Sequence, residues 1–90
     1  MEVRKVEVQV GHVTHYYSHL GVAAIAIEGN ELAVGDVVHI KGHTTDLTQP
    51  IESMELEHQK VEVAKPGQNV GIRVRDHVRE HDTVLKVLPG

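Results

Sequence analysis

Short stretches in which apolar and polar residues alternate, separated by turn-forming residues roughly every ten positions, constrain this chain most. Alternation of this kind places successive side chains on opposite faces of a strand. The pattern is clear at 6–10, 38–41, 70–74 and 84–88, whereas no long stretch has the spacing of an amphipathic helix. Evenly spaced short strands are typical of barrels and sandwiches. We therefore predict an all-β domain of about six or seven strands.

Glycine and proline mark the predicted turns. Gly35 and Asp36 stand between two apolar stretches, as in a tight turn. Pro66 and Gly67 suit the central positions of a type II turn, because proline presets φ and glycine tolerates a positive φ. Gly71 lies inside an alternating stretch, which indicates a close approach of another part of the backbone. These positions are predicted to be structural.

The N-terminal half contains a change of phase and a break in the pattern. Gly11 shifts the alternation by one residue, which predicts a β-bulge. Segment 15–20 interrupts the alternation and is predicted to be a loop. The apolar run VAAIAI at 22–27 predicts a strand that is buried on both faces. Gly29 and Asn30 then fit a tight hairpin that leads into the next strand.

Segment 51–58 also alternates, but its length leaves two interpretations open. Glu55 and Glu57 fall on the face opposite Leu56, as they would in a strand with one solvated face. A short helix is the alternative, although helical spacing fits less well. We predict a strand whose carboxylates face solvent.

Composition limits the classes of function. The 90 residues suffice for one domain, predicted to span 1–90, and with only 2% aromatic residues its core must be aliphatic. No cysteine is present, which excludes disulfides and thiolate chemistry. The net charge of −4 gives no general attraction to nucleic acid, so any RNA contact must be local. No apolar run is long enough for a membrane helix, and we expect a soluble, cytoplasmic protein with no membrane contact.

Two longer motifs carry a family resemblance. LAVGDVVHIKG at 32–42 and AKPGQNVGIRV at 64–74 resemble the second domain of elongation factor Tu and related translation factors. Gly21 at the start of a strand and MELEH at 54–58 match the same pattern, so the resemblance covers nearly the whole chain. It implies a closed Greek-key β-barrel of about six strands, of the translation-protein type.

The same resemblance implies a binding surface. In elongation factor Tu this barrel helps to hold the aminoacylated end of transfer RNA through a glutamate and an asparagine, which match Glu55 and Asn69. Arg73 would extend that surface. The resemblance thus implies transfer RNA, the ribosome or a protein as partner. The alternative for Asn69 is a local hydrogen bond that stabilises its turn.

The aromatic and histidine residues of the N-terminal segment offer other sites. Tyr16 and Tyr17 are the only aromatic residues, and their rings could stack on bases. The alternative is that one of them covers an end of the barrel. His12, His15 and His19 have spacings that a metal site could use, but in a strand leading to a loop they need not converge. We predict a structural or solvated role for them, and no metal.

The sequence therefore predicts a binding module rather than an enzyme. The phosphate-binding motif G-x-x-x-x-G-K-[ST] is missing, so neither GTP binding nor GTP hydrolysis is expected. Neither serine stands in a nucleophile-elbow sequence, and no cofactor or catalytic residue is assigned. The leading hypothesis is a translation-factor-like module that contacts RNA, the ribosome or a protein. The alternatives are an accessory barrel for an enzyme such as the collagenase-like peptidases that act in RNA modification, and an oligomeric structural module; the oligomeric state stays open.

Overall fold

The structure is a computed structural model that describes residues 6–89, and these residues form ten strands and no helix. The strands are β1 (Val6–Tyr17), β2 (Val22–Ile27), β3 (Leu32–Ala33), β4 (Val37–Lys41), β5 (Asp46–Pro50), β6 (Met54–Leu56), β7 (Gln59–Val61), β8 (Val63–Ala64), β9 (Asn69–Arg73) and β10 (Thr83–Leu88). The all-β prediction is confirmed. Since the described part of the chain contains no helix, it also has none that could cross a membrane.

Eight of the strands form one sheet in the order β5-β4-β10-β1-β2-β9-β6-β7, and β3 pairs with β8 in a second, smaller sheet. Every pair is antiparallel. Among residues 6–89 no ladder joins the outer strands β5 and β7, so the sheet is open. The prediction of a closed barrel of about six strands is therefore wrong in its closure. One physical reason lies in β5, which ends at Pro50, a residue with no N–H to donate to a further ladder.

A side chain spans part of the opening that a ladder would have closed. Gln49 on β5 is 3% exposed, and its Nε2 donates a hydrogen bond to the carbonyl of Arg73 at 2.8 Å. Its Oε1 accepts from the backbone N–H of Arg75, also at 2.8 Å. The sheet therefore bends far enough for β5 to reach the backbone at the end of β9. At this place the side-chain amide of Gln49 forms the hydrogen bonds that a backbone ladder would otherwise form.

Strand β1 runs through the centre of the sheet and pairs with both β10 and β2. Its register to β10 shifts between Gln9 and Gly11, which confirms the predicted bulge. A second shift, between Val13 and His15, occurs in its pairing with β2. Because of these two bulges, one long strand can follow the curvature of the sheet on both sides.

The core is built from aliphatic side chains on the inner faces of the strands, as the shortage of aromatic residues predicts. In β2, β4 and β9 the buried residues alternate with half-buried or exposed ones, which is the period of a strand. The buried hydrophobic residues are Val10, Val13, Ala23, Ile25, Ile27, Leu32, Val38, Ile40, Ile51, Met54, Ala64, Val70, Ile72, Val78 and Val84. These residues form one continuous cluster.

Two glycines adopt backbone conformations that other residues avoid. Gly35 has a φ of 97°, and the carboxylate of Asp36 accepts a hydrogen bond from the backbone N–H of Ala33 at 2.8 Å. Gly67 follows Pro66 with a φ of 94°, and a backbone hydrogen bond from residue 68 to residue 65 closes that turn. Positive φ in the third position is the geometry of a type II turn.

Two predictions about the N-terminal half are wrong. Segment 15–20 is not all loop, because β1 continues to Tyr17 and only the turn at 18–21 interrupts the sheet. Gly29 and Asn30 do not form a hairpin, because β2 pairs with β1 and β9 rather than with β3. Turn residues are present there, but β2 forms its hairpin with the preceding strand β1, and β3 pairs with β8, which is distant in sequence.

Two further predictions need correction. The run at 22–27 is fully buried on one face only: Ala23, Ile25 and Ile27 are in the core, and the residues between them are half-buried. In segment 51–58 only Met54–Leu56 is strand, and the helix alternative is wrong. The half-buried face of β2 and the turn after β6 both contribute to the site described next.

Candidate functional site

A groove of about 510 Å³ lies on the outer face of strands β2, β9 and β6. Its floor is made of small residues: Gly71 on β9 pairs with Ala24 on β2 on one side and with Glu55 on β6 on the other. Asn69 and Arg73 lie two positions from Gly71 on β9, and they share its outward face because Val70 and Ile72 are buried. Small residues between larger ones leave a depression in the sheet.

One side of the groove is apolar. Tyr17, on β1, pairs with Val22 on β2, and Leu20 lies in the turn between these strands. Tyr17 is 47% exposed and Leu20 is 64% exposed. Exposed apolar residues that stand together next to a depression mark a binding surface more often than isolated ones do.

The other side carries charge. Glu55 on β6, Glu57 and His58 in the turn after it, and Arg73 on β9 all line the groove. Among residues 6–89 no ion pair involves any of these four side chains. The groove is thus apolar on one side and mainly acidic on the other.

The turn between β6 and β7 has an unusual backbone. Leu56 pairs with Gln59, so Glu57 and His58 form a two-residue loop, with φ of 51° and 65°. Two positive φ values are typical of a hairpin turn that Asn-Gly usually fills. For residues with a side chain the left-handed conformation costs roughly 1–2 kcal/mol each. Both side chains nevertheless line the groove.

The structure brings together four of the five predicted binding residues. Glu55, Asn69, Arg73 and Tyr17 all line the groove. Tyr16 does not line it, because successive residues of β1 point to opposite sides of the strand. Tyr16 packs against the core and meets the ring of His77 edge-on, with 4.6 Å between ring centroids. The residues that sequence reasoning missed are Leu20, Val22, Ala24, Ser53, Glu57, His58 and Ile72.

The three N-terminal histidines do not form a metal site. His12 lies 2.9 Å from a carboxylate oxygen of Glu28, and His15 lies 3.1 Å from Glu80. His19 is exposed in the turn after β1. Across residues 6–89, no three His, Cys, Asp or Glu side chains are placed to hold one metal ion.

The most constrained histidine, His39 on β4, lies outside the groove. Its side chain is 15% exposed, with Nδ1 at 2.6 Å from Glu7 and Nε2 at 2.5 Å from Asp46. Burial alone would lower the pKa of His39, but hydrogen bonds to Asp46 and Glu7 and the charges of both carboxylates outweigh it. The pKa is therefore raised above its ordinary value of 6.5. The imidazolium links β1, β4 and β5.

This arrangement predicts a pH dependence of stability. Because the pKa of His39 is raised in the folded protein, its contribution is fully present below about 6.5 and is lost as the pH rises through the folded-state pKa. We expect His39→Gln to lower the thermal midpoint more at pH 6 than at pH 9. Thermal melts of both proteins at the two pH values measure this difference. His43→Gln, at an exposed position in the loop between β4 and β5, is the control, and equal losses for His39→Gln at both pH values would contradict the assignment.

Comparisons with known proteins identify the relatives of this chain. An uncharacterized protease of Methanocaldococcus jannaschii is 35% identical over 87% of the chain, which covers 19% of that protease. A collagenase of Porphyromonas gingivalis is 40% identical over 89% of the chain, which covers 20% of that enzyme. The chain thus spans about a fifth of the length of the curated relatives it matches. No protein-family model matches it.

A solved structure has the same fold. The C-terminal domain of a Geobacillus thermoleovorans protein assigned to the U32 peptidases superposes with a TM-score of 0.81, at 26% identity. The match covers 87% of this chain and 90% of that domain.

These findings correct the resemblance to translation factors. An elongation factor 1-alpha of Pyrococcus horikoshii is 36% identical, but over only 66% of this chain. The assignment to an elongation factor Tu-like second domain is therefore wrong, and the expectation of RNA binding, which rested on it, is withdrawn. The shared glycine turns explain the error, because turn geometry places glycine at similar points in related β-domains. Over most of its length the chain is similar to proteases of the collagenase type and to the C-terminal domain of a U32 peptidase.

Proposed function

We propose that this chain is a non-catalytic accessory domain of a collagenase-like U32 peptidase, and that it acts by binding protein through the groove. The observation that carries the proposal is its likeness to a U32 peptidase C-terminal domain over nearly the full length of both. The curated relatives are several times longer than the chain, so the matching segment is a small part of each protease. A segment that makes up about a fifth of a protease is consistent with an accessory role in that protease.

The groove supports binding rather than bond cleavage. Its floor consists of Gly71 and Ala24, and its sides are the exposed Tyr17 and Leu20 and the carboxylates around Glu55. The hydroxyl of Ser53 also lines the groove, but among residues 6–89 it makes no hydrogen bond to a histidine that could act as its base. A surface that combines exposed apolar side chains with charges available for pairing is suited to holding a partner. The function proposed for the groove is therefore recognition.

Affinity capture tests the proposal. The tagged chain is incubated with a native lysate of its source organism, and retained proteins are identified by mass spectrometry. We expect a U32-type peptidase in about equal molar amount, whether it is a separate polypeptide or one that includes this segment. An unrelated tagged protein of the same net charge serves as the control bait.

Activity and size measurements complete the test. The purified chain alone is expected to leave gelatin and casein intact, since a binding domain has no reaction to perform. Hydrolysis by the chain itself would overturn the non-catalytic role. A stable homo-oligomer in light scattering, with no peptidase captured, would instead support the structural module considered as an alternative.

A further inference from the structure

We propose that the groove holds an extended protein segment in which a lysine or arginine lies next to an aliphatic residue. The basic side chain would pair with Glu55 and Glu57, and the aliphatic one would pack on Tyr17 and Leu20. This inference rests on the proposed function, because it names the chemistry by which the domain recognises the peptidase. It commits to a protein segment as the occupant.

The apolar side of the groove accounts for the aliphatic residue. Tyr17 and Leu20 are both more than 40% exposed and flank Val22, so one aliphatic side chain could contact all three. Burying such a side chain is favourable by about 25 cal/mol per Å² of apolar surface removed from water. An occupant with only polar side chains would leave these residues in water and gain nothing from them.

The acidic side accounts for the basic residue. The lining holds two carboxylates, from Glu55 and Glu57, and one guanidinium, from Arg73, so acidic side chains outnumber the arginine. A basic side chain placed between the carboxylates gains charge-assisted hydrogen bonds. Arg73 on β9 pairs with Val22 on β2, and from there its guanidinium can donate to a carbonyl or carboxylate of the bound protein segment. Charge complementarity therefore selects a basic segment over an acidic one.

The floor accounts for an extended backbone. Ala24 and Gly71 project little above the sheet, and a Cβ added at Gly71 would already touch the side chain of Val22 at 3.3 Å. Main chain can come close only where side chains are this small. The volume of about 510 Å³ lies within the range of roughly 300–1,000 Å³ that ligand sites occupy. A strand-like segment with side chains to either side suits this shape.

A peptide array tests the inference. Overlapping peptides that cover the full sequences of the Methanocaldococcus jannaschii protease and the Porphyromonas gingivalis collagenase are probed with the labelled chain. We expect the bound peptides to carry Lys or Arg beside Leu, Ile or Val. Replacing that basic residue by Glu in the peptide should abolish binding. No bound peptide, or a set enriched in acidic residues, would overturn the proposal.

Variants of the chain locate the binding. Glu55→Gln combined with Glu57→Gln, and separately Leu20→Ser, should weaken binding of a selected peptide roughly tenfold to a hundredfold in fluorescence polarisation. Glu62→Gln combined with Val63→Ser is the matched control, because it removes one exposed carboxylate and one exposed apolar side chain outside the groove. Equal effects of the control and the groove variants would rule out this site.

The strained turn separates binding from folding. Glu57→Asn combined with His58→Gly gives the turn the residues that its positive φ values favour. We expect this variant to raise the urea midpoint and yet to bind the peptide more weakly, because a groove carboxylate is gone. A variant that is both more stable and equally tight in binding would contradict the role of Glu57.

The two proposals fail in different ways. If the chain captures a U32-type peptidase while the groove variants bind it as the unmodified chain does, the accessory role stands and the groove is the wrong surface. If peptides with the predicted pattern bind but no peptidase is captured, the chemistry of the groove stands and its assignment to a peptidase is wrong. Self-association that the groove variants abolish would show that a second copy of the chain is the occupant and would overturn the inference.

Discussion

Gly11→Ala is expected to reduce the free energy of unfolding by more than about 3 kcal/mol, a large fraction of the roughly 5–15 kcal/mol that stabilises a folded domain. Gly11 lies at the bulge of β1, directly over the backbone of β2. A Cβ at this position would overlap the carbonyl oxygen of Ala26 and press on the Cα of Ile27. These atoms belong to a central strand that is paired on both sides, so they cannot move without breaking the sheet.

Gly71→Ala is the matched control. It also adds one methyl group to a central strand, but that group would meet only the Cγ1 of Val22 at 3.3 Å, and a side chain can yield by a few tenths of an ångström. We expect its cost to stay below about 1 kcal/mol. Urea unfolding followed by circular dichroism compares the two variants. Similar midpoints would show that the contact between Gly11 and β2 is not as close as the fold requires.

Gln49→Leu should have the second-largest effect, about 2–3 kcal/mol, although it preserves the volume of the side chain. The substitution leaves the carbonyl of Arg73 and the N–H of Arg75 without their partner at a half-buried position. Each buried polar group that loses its only hydrogen bond costs about 1–3 kcal/mol. The combined cost should be near the lower end because Arg73 and Arg75 are themselves exposed residues.

Gln59→Leu provides the control for loss of an amide. Gln59 lies exposed on β7, at the opposite edge of the sheet, so the substitution should change stability by no more than about 0.5 kcal/mol. The urea midpoints of Gln49→Leu and Gln59→Leu, each compared with that of the unmodified chain, measure the two effects. A Gln49→Leu protein as stable as the unmodified chain would mean that the amide does not hold the two parts of the sheet together.

The sequence could predict those strands whose inner residues reach the core without interruption. Val38 and Ile40 on β4, and Val70 and Ile72 on β9, are buried where the alternation places them. The end of β1 was missed because its second bulge, between Val13 and His15, shifts the phase and makes a continuous strand look broken. Closure was mispredicted because the alternation within each strand does not say whether the outer strands pair, and β5 ends at Pro50, which has no N–H to donate.

The candidate site was only partly predictable from the sequence. The part that could be predicted depends on strand alternation and not on the family resemblance. Glu55 and Asn69 were proposed from a likeness to translation factors that the comparisons do not support, with Arg73 as an extension of that surface, and yet all three line one groove. Their common face follows from the alternation of β6 and β9. Glu57 and His58 could not be assigned to a left-handed turn, because neither is a residue that normally occupies one.

The place of β10 in the sheet has a consequence for how the chain folds. β10 lies between β4 and β1, so it is the strand through which β5 and β4 are connected to the other five. Until residues 83–88 have been synthesised, β1 and β4 each present an unpaired edge, and the sheet exists as two separate parts. Folding should therefore be late and comparatively slow, since its decisive step joins the first strand to the last. A ribosome-bound chain that stops before β10 would expose the unpaired edges of β1 and β4, to which strands of neighbouring chains could pair.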